Sequence, residues 1–126
     1  MNAALLPQVS VVIPTLNAAG VLDHCLRSIV AQDYPRERVE ILVADGGSAD
    51  ATRSVATRHG AVILENPKRI AEQGKRVALG VAKGEFIVFA DADNEFSHPD
   101  FIRLAVLALQ NHPQALGVES YYPTNS

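Results

Sequence analysis

Two carboxylates stand two positions apart where a buried run of the sequence ends. The run FIVFA, Phe86–Ala90, is typical of a β-strand, and Asp91-Ala92-Asp93-Asn94 follows it directly. Neighbouring anions repel one another and are costly to desolvate, so stability does not explain them. A divalent cation would relieve that cost, and such an ion usually completes its shell with water and a substrate's phosphates. The junction therefore indicates a metal site for a phosphorylated ligand.

Two further apolar runs end in polar residues. Val9–Ile13 (VSVVI) is followed by PTLN at 14–17, and Val39–Ala44 (VEILVA) is followed by DGGS at 45–48. Turns favour Asp, Gly, Asn and Ser for backbone reasons, so each motif alone is weak. In an open parallel sheet, however, the carboxyl ends of the strands share the edge where ligands bind. The order of the three motifs therefore predicts one crevice.

Helical patterns separate these strands. The first has Asn17 as a predicted N-cap and a stripe of apolar residues, and the last is opened by a predicted capping box, SHPD at 97–100, with its proline in the first turn. The apolar stripe of the first helix consists of Val21, Leu22, Cys25, Leu26, Ile29 and Val30, and the last helix is predicted over Phe101–Gln110.

Two further helices are predicted between them. One is Asp50–Arg58, capped by Ser48 or Asp50 and stopped by Gly60. The other has Ile70, Val77, Ala78 and Val81 inward, is interrupted by Gly74 and ended by Gly84. Short strands are predicted at Ala61–Leu64 and, last in the chain, at Leu116–Tyr121.

Strands alternating with helices predict an α/β fold with a Rossmann-like, doubly wound, mostly parallel sheet. At 126 residues and 48% hydrophobic, the chain forms one domain over 1–126. A net charge of −3 argues against nucleic acid as a partner. The lone Cys25 excludes an internal disulfide, and no apolar run is long enough to span a bilayer.

The motifs together resemble family 2 glycosyltransferases, enzymes of the GT-A fold. The resemblance extends from Val9 to Asn94 and is carried by VSVVIPTLN, CLRSIVAQDYP, VEILVADGGSADAT and AKGEFIVFADADN. It implies metal-assisted, inverting transfer of a sugar from a UDP- or GDP-linked donor to an acceptor hydroxyl, with Mn²⁺ or Mg²⁺ as cofactor. A metal ion would stabilise the departing nucleoside diphosphate as a Lewis acid.

The resemblance also implies roles for particular residues. Pro14 and Thr15 would line the nucleobase pocket, and Asp45, with Gly47 nearby, would hydrogen-bond the base. Asp93 would bind the metal, and Asp91 would contact the ribose or share the metal. The residues implied to bind the nucleotide sugar are Pro14, Thr15, Asn17, Asp45, Gly47, Lys75, Asp91, Ala92 and Asp93.

The sequence departs from the family pattern in three places. Leu16 and Ala18 stand where a tyrosine and an acid are common, and the segment from Gly74 to Gly84 is short. No motif after Asn94 resembles the family's carboxylate base, so the catalytic residue is unknown. We therefore expect this chain to be the donor-binding half of a GT-A domain, inactive by itself and prone to self-association, and cytoplasmic or held at the cytoplasmic face of a membrane by a longer parent protein.

The same residues bear on three other functions. A non-catalytic nucleotide-binding or interaction module of the same fold would explain the lack of a recognisable base. A phospho-accepting receiver domain would need an acidic pair after the first strand, where the chain has PTLN. A dinucleotide oxidoreductase would need G-x-G-x-x-G at that position. The last two are therefore disfavoured.

Overall fold

Four parallel strands form one sheet in the order β3-β2-β1-β4. The computed structural model describes residues 6–115 and residue 117. The strands are β1 (Val9–Thr15), β2 (Val39–Asp45), β3 (Val62–Glu65) and β4 (Phe86–Phe89). The predicted α/β class and parallel sheet are confirmed, and the crossover connections place β1 between β2 and β4.

Helices cover both faces of this sheet. They are α1 (Ala19–Val30), α2 (Thr52–Arg58), α3 (Ala71–Leu79) and α4 (Phe101–Asn111), with a 3-10 turn at Arg36–Arg38 before β2. One core contains α1, α2 and α4 side chains against alternate residues of β1 and β2. A smaller core lies on the opposite face, where Ala78 of α3 packs against Val12 and Leu42. Burial on both faces explains why these strands are apolar throughout.

β1 is longer than the sequence indicated, because Pro14 lies inside the strand rather than ending it. Pro14 pairs with Ala44 of β2, whereas the pairing of β1 with β4 ends at Val12 and Phe89. The Val12 carbonyl accepts a hydrogen bond from the Ala90 N–H, so the backbone polar groups of Val12 and, two residues later, of Pro14 point towards β4. Because β4 ends at Phe89, the nitrogen of Pro14 lies beyond the end of that strand. The missing N–H of Pro14 therefore costs no ladder bond.

Three predicted helix starts were wrong. α1 is preceded by Ala18 without a side-chain cap, and Asn17 bonds elsewhere. α4 begins after Asp100, also without a side-chain cap, so the predicted capping box does not form and the proline precedes the helix. α2 likewise starts later than expected, after Ala51 rather than at Ser48 or Asp50.

α3 is continuous through Gly74, which the sequence indicated as an interruption. A Cβ at Gly74 would lie 3.0 Å from the Asn66 side chain and 3.2 Å from Ala44, so the glycine permits close packing of α3 on the strand ends. Ile70 and Val81, predicted to face inward, are 59% and 50% exposed. They lie just outside the helix, so its periodicity does not apply to them.

A groove of about 680 Å³ lies between β4 and α4. Its walls include Phe86–Phe89, Ile102, Val106 and Leu109. Apart from Gly117, the predicted strand Leu116–Tyr121 lies outside the described residues. Within the described part of the chain, no helix is long and apolar enough to cross a bilayer.

Candidate functional site

The ends of β1 and β2 meet in a direct side-chain contact. Thr15 and Asp45 are partners in the parallel register, and the Thr15 hydroxyl donates to Asp45 Oδ1 over 2.8 Å. The Gly46 N–H donates to the Thr15 carbonyl over 2.9 Å, which continues the pairing into the loop after β2. The structure thus brings together the first two polar motifs found in the sequence.

Asp45 is fully buried and receives hydrogen bonds from several protein donors. Its Oδ2 accepts from the backbone N–H groups of Gly47 (3.1 Å) and Ser48 (2.8 Å) and from Arg53 Nε (3.0 Å). Its Oδ1 also accepts from the Ser48 hydroxyl. Burial alone would raise the pKa of Asp45, but the hydrogen bonds from Ser48, Thr15 and Gly47 outweigh burial, so the pKa is lowered. The carboxylate is therefore ionised and holds the loop 46–48 in place.

Arg53 and Asn66 also belong to this end of β2, and sequence reasoning missed both. Arg53 bridges Asp45 to Glu65, with its two terminal nitrogens 2.6 and 2.8 Å from the Glu65 oxygens. The Asn66 N–H donates to the Asp45 carbonyl, and its buried side-chain oxygen has no hydrogen-bond partner within the described residues. Sequence spacing gives no signal for these contacts, because they join α2 and the end of β3 to β2.

Asn17 links the loops after β1 and β2. Its Oδ1 accepts from the Ala49 N–H over 2.7 Å, and its own N–H donates to the Ser48 hydroxyl over 2.8 Å. Its φ of 50° is in the left-handed region, which asparagine tolerates better than most residues. Asn17 therefore lies at the expected crevice as a loop bridge, with its side-chain oxygen already engaged.

The acidic junction follows β4 and is exposed. The Asp91 N–H donates to Asn94 Oδ1 over 2.7 Å, and the Asn94 N–H donates to the Asp91 carbonyl over 3.0 Å, so Asn94 closes a tight turn. The carboxylates of Asp91 and Asp93 have no hydrogen-bond or ion-pair partner in the part of the chain that is described. Ala92 lies between them and packs against the larger core, which fixes the turn.

Cys25 lies directly behind the junction. Its Sγ is 3.7 Å from the Asp91 carbonyl oxygen, and the residue is fully buried. Burial, with smaller contributions from the charges of Asp93 and Asp91, raises the pKa of the thiol to about 11. Both acids are thus close enough to add their negative charge to this part of the site.

The donor atoms at the junction suit a hard divalent cation only in part. Carboxylate oxygens are the ligands that Mg²⁺ and Mn²⁺ prefer. Over 6–115 and 117, no group of three or more His, Cys, Asp or Glu side chains is arranged to hold an ion. Asp91 and Asp93 would supply two protein ligands at most, so an ion there would need other oxygen ligands, such as phosphate and water.

Lys75 lies on α3 at the same end of the sheet. Its Nζ is 3.0 Å from Glu72 Oε1 and 5.6 Å from the ring centre of Phe89, the last residue of β4. Phe89 is two residues before Asp91, so Lys75 lies near the end of the strand that leads into the acidic junction. Arg76 has no ion pair among the residues described and is exposed.

Comparisons with known proteins agree with this architecture. The model of glycosyl transferase family 2 matches residues 10–125. A GalNAc(5)-diNAcBac-PP-undecaprenol beta-1,3-glucosyltransferase from Campylobacter jejuni is 34% identical over 97 residues, which are 71% of this chain and 31% of the relative.

Two solved structures are similar in fold and sequence. A mannosyltransferase from Pyrobaculum calidifontis in complex with GDP-Man and Mn²⁺ gives a TM-score of 0.77 at 32% identity, covering 86% of this chain and 34% of that one. Glucosyl-3-phosphoglycerate synthase from Mycobacterium tuberculosis was solved in complex with Mn²⁺, UDP and glucosyl-3-phosphoglycerate. Its TM-score is 0.66 at 26% sequence identity, and the match covers 85% of this chain and 41% of that one.

The parallel sheet with its polar strand ends is thus a domain of the GT-A type. The chain belongs to glycosyl transferase family 2, as its motifs predicted. It spans about a third of the length of the Campylobacter relative and of the Pyrobaculum mannosyltransferase.

Proposed function

We propose that this chain binds the nucleotide-sugar donor of an inverting glycosyltransferase and supplies the donor-binding half of its GT-A domain. The observation that carries the proposal is the pair of exposed carboxylates, Asp91 and Asp93, which have no partner among the described residues. They follow β4 at the same edge of the sheet as the Thr15–Asp45 contact. Relatives of the same family that are bound to GDP-Man and Mn²⁺, or to UDP and Mn²⁺, support a nucleoside diphosphate and a divalent metal as ligands.

The proposed donor site has two parts, one for the base and ribose and one for the diphosphate. Pro14, Thr15, Asp45 and Gly47 line the base and ribose end, where the buried carboxylate of Asp45 keeps the loop rigid. Because its oxygens already accept from five donors, a base N–H would bind Asp45 by sharing or replacing one of them, such as a rotatable hydroxyl. Asn17 orders the loop beside this pocket through the Ala49 N–H.

The diphosphate end is the acidic junction. Asp93, with Asp91, would hold Mn²⁺ or Mg²⁺, which when bound would offset the charge of the departing diphosphate. Ala92, between them, packs against the larger core. Lys75 would add a second positive charge from α3, because its Nζ already lies near the end of β4. The acceptor and the residue that deprotonates it are not assigned.

A non-catalytic nucleotide-binding module is the second candidate. It would use the same pocket and the same carboxylates, and it is favoured by the lack of a sequence motif resembling the family's base. Sugar transfer or donor hydrolysis by a longer form of the protein would argue for the enzyme. Inactivity of that form with a panel of acceptors, alongside intact donor binding, would argue for the module.

Titration calorimetry with UDP or GDP and Mn²⁺ tests the donor site. We expect binding that requires the metal and is lost in Asp93→Ala. Glu37→Ala is the matched control, because Glu37 lies in the 3-10 turn before β2, at the opposite end of that strand. Binding by Asp93→Ala equal to that of the parent protein would refute the site, and no binding by the parent would refute the function.

A further inference from the structure

Arg69 has an unusual backbone conformation beside Gly46, just after the end of β2. Its φ is 63°, and the other non-glycine residue with positive φ in the described chain is Asn17. Asparagine can compensate this conformation with its short polar side chain, whereas arginine gains nothing locally from it. Residues held in such regions are often part of ligand sites, which makes Arg69 a candidate for a role beyond the fold.

The turn that carries Arg69 is fastened to the end of β2. The Asn66 N–H donates to the Asp45 carbonyl over 2.9 Å, and the Arg69 N–H donates to the Asn66 carbonyl over 3.0 Å. The Asn66 side-chain nitrogen donates to the Ile70 carbonyl over 2.9 Å. These bonds hold the position of Arg69 relative to Asp45.

Gly46 allows the turn to approach closely. A Cβ on Gly46 would lie 3.1 Å from the Arg69 Cα, 3.4 Å from the Arg69 Cβ and 3.5 Å from the Thr15 carbonyl oxygen. Arg69 therefore lies beside Gly46 and Thr15, at the start of the proposed base pocket. In residues 6–115 and 117, its exposed side chain has no hydrogen bond or ion pair, whereas Arg53 is paired with Asp45 and Glu65.

The position of Arg69 favours the base over the diphosphate. Gly46 follows β2, which is two strands away from β4 and its acidic junction. At about 4.8 Å per strand, this separation is about 10 Å. The guanidinium group carries only donors, in a fork that suits two acceptor atoms. Uracil O4 and guanine O6 and N7 are acceptors, whereas cytosine and adenine carry an amino group at the corresponding position.

We propose that Arg69 is a specificity-determining residue that donates to the keto oxygen of the base and so selects UDP over CDP and GDP over ADP. This inference rests on the proposed donor-binding function and adds to it the chemical class of the base. A keto oxygen of the base can accept from the guanidinium, which has only donors. An amino group at that position would instead place a second donor against it.

The test measures the affinity of the 126-residue chain for UDP, CDP, GDP and ADP in the presence of Mn²⁺. The key variant is Arg69→Gly, because glycine accepts a positive φ and keeps the turn while removing the guanidinium. We expect the UDP/CDP and GDP/ADP affinity ratios to fall about tenfold. Lys68→Ala, which removes the neighbouring charge, should leave both ratios unchanged. Circular dichroism checks that each variant is folded.

The possible results separate this inference from the proposed function. Unchanged ratios in folded Arg69→Gly, or an equal loss of affinity for all four nucleotides, would overturn the role of Arg69 while leaving donor binding intact. A parent chain that binds none of the four nucleotides would overturn both.

Discussion

The hydroxyl of Thr15 donates to the carboxylate of Asp45 across the two central strands, at the last pair of their register. The contact is buried and joins residues thirty positions apart in the chain. It makes the floor of the proposed base pocket part of the sheet itself. A change in either side chain should therefore alter both stability and binding.

Thr15→Val tests this contact. Valine keeps the shape and the β-branch but removes the donor, and a hydrogen bond to a charged group contributes about 1.5–3 kcal/mol. We expect urea unfolding to show a loss of that size. Thr15→Ser, which retains the hydroxyl, is the control, and equal stability of the two variants would show that the hydroxyl bond contributes little.

Asp45 should make the protein less stable in acid. Its pKa is lowered in the folded state relative to 3.8, so its contribution is present above that value and is lost as the pH falls through the folded pKa. The free energy of unfolding, followed by urea titration from pH 7 downwards, should fall more steeply below about pH 4 in the parent than in Asp45→Asn. Parallel curves would contradict this assignment.

Gly84 should not tolerate a side chain. A Cβ there would lie 2.4 Å from the Ser10 nitrogen and 2.5 Å from the Ser10 hydroxyl, so the turn before β4 would have to move away from β1. Gly84→Ala should destabilise by about 1–3 kcal/mol or more.

Gly20→Ala is the matched control for Gly84. Gly20 lies in α1 with no atom within 4 Å of the added methyl group. Because alanine has the higher helix propensity, the substitution should be neutral or stabilise by up to about 1 kcal/mol. Thermal melts of the two variants should shift in opposite directions or differ clearly in size; similar losses would refute the packing argument.

The thiol of Cys25 should be inert in the native protein. It is buried, and its pKa is raised to about 11, so little thiolate is present at neutral pH. A thiol reagent such as DTNB at pH 8 should react slowly with the folded chain and fast in urea. Rapid reaction without denaturant would mean that the region behind Asp91 opens readily.

Self-association stays a prediction. Leu104 and Leu107 of α4 are 51% and 40% exposed among the described residues, and the apolar groove lies beside this helix. We expect light scattering to show species larger than a monomer, reduced in Leu104→Glu. A monodisperse monomer at high concentration would contradict the expectation.

The sequence predicted β1 and β2 well because their buried runs are rich in β-branched residues. It predicted the meeting of the first two polar motifs because neighbouring parallel strands end at one edge. It failed where long-range contacts decide local structure. Asn17 fits a helix cap by type, yet its side chain bonds across to Ala49, and Gly74 resembles a helix breaker until its packing on Ala44 is seen.

The charge partners of the site were hidden for the same reason. Arg53 is eight residues after Asp45 and twelve before Glu65, spacings that no helical or strand rule connects. The left-handed backbone of Arg69 likewise became visible only in three dimensions.

The central place of β1 has a consequence for assembly. Its neighbour on one side, β4, is the last of the described strands, so Val9 must wait for Phe86 to be synthesised before that pairing can begin. Long-range pairings of this kind are slow to form because a large loop must close first. During translation the contact between Thr15 and Asp45 can therefore form before β4 has paired, and the acidic turn that follows β4 should take its place only later.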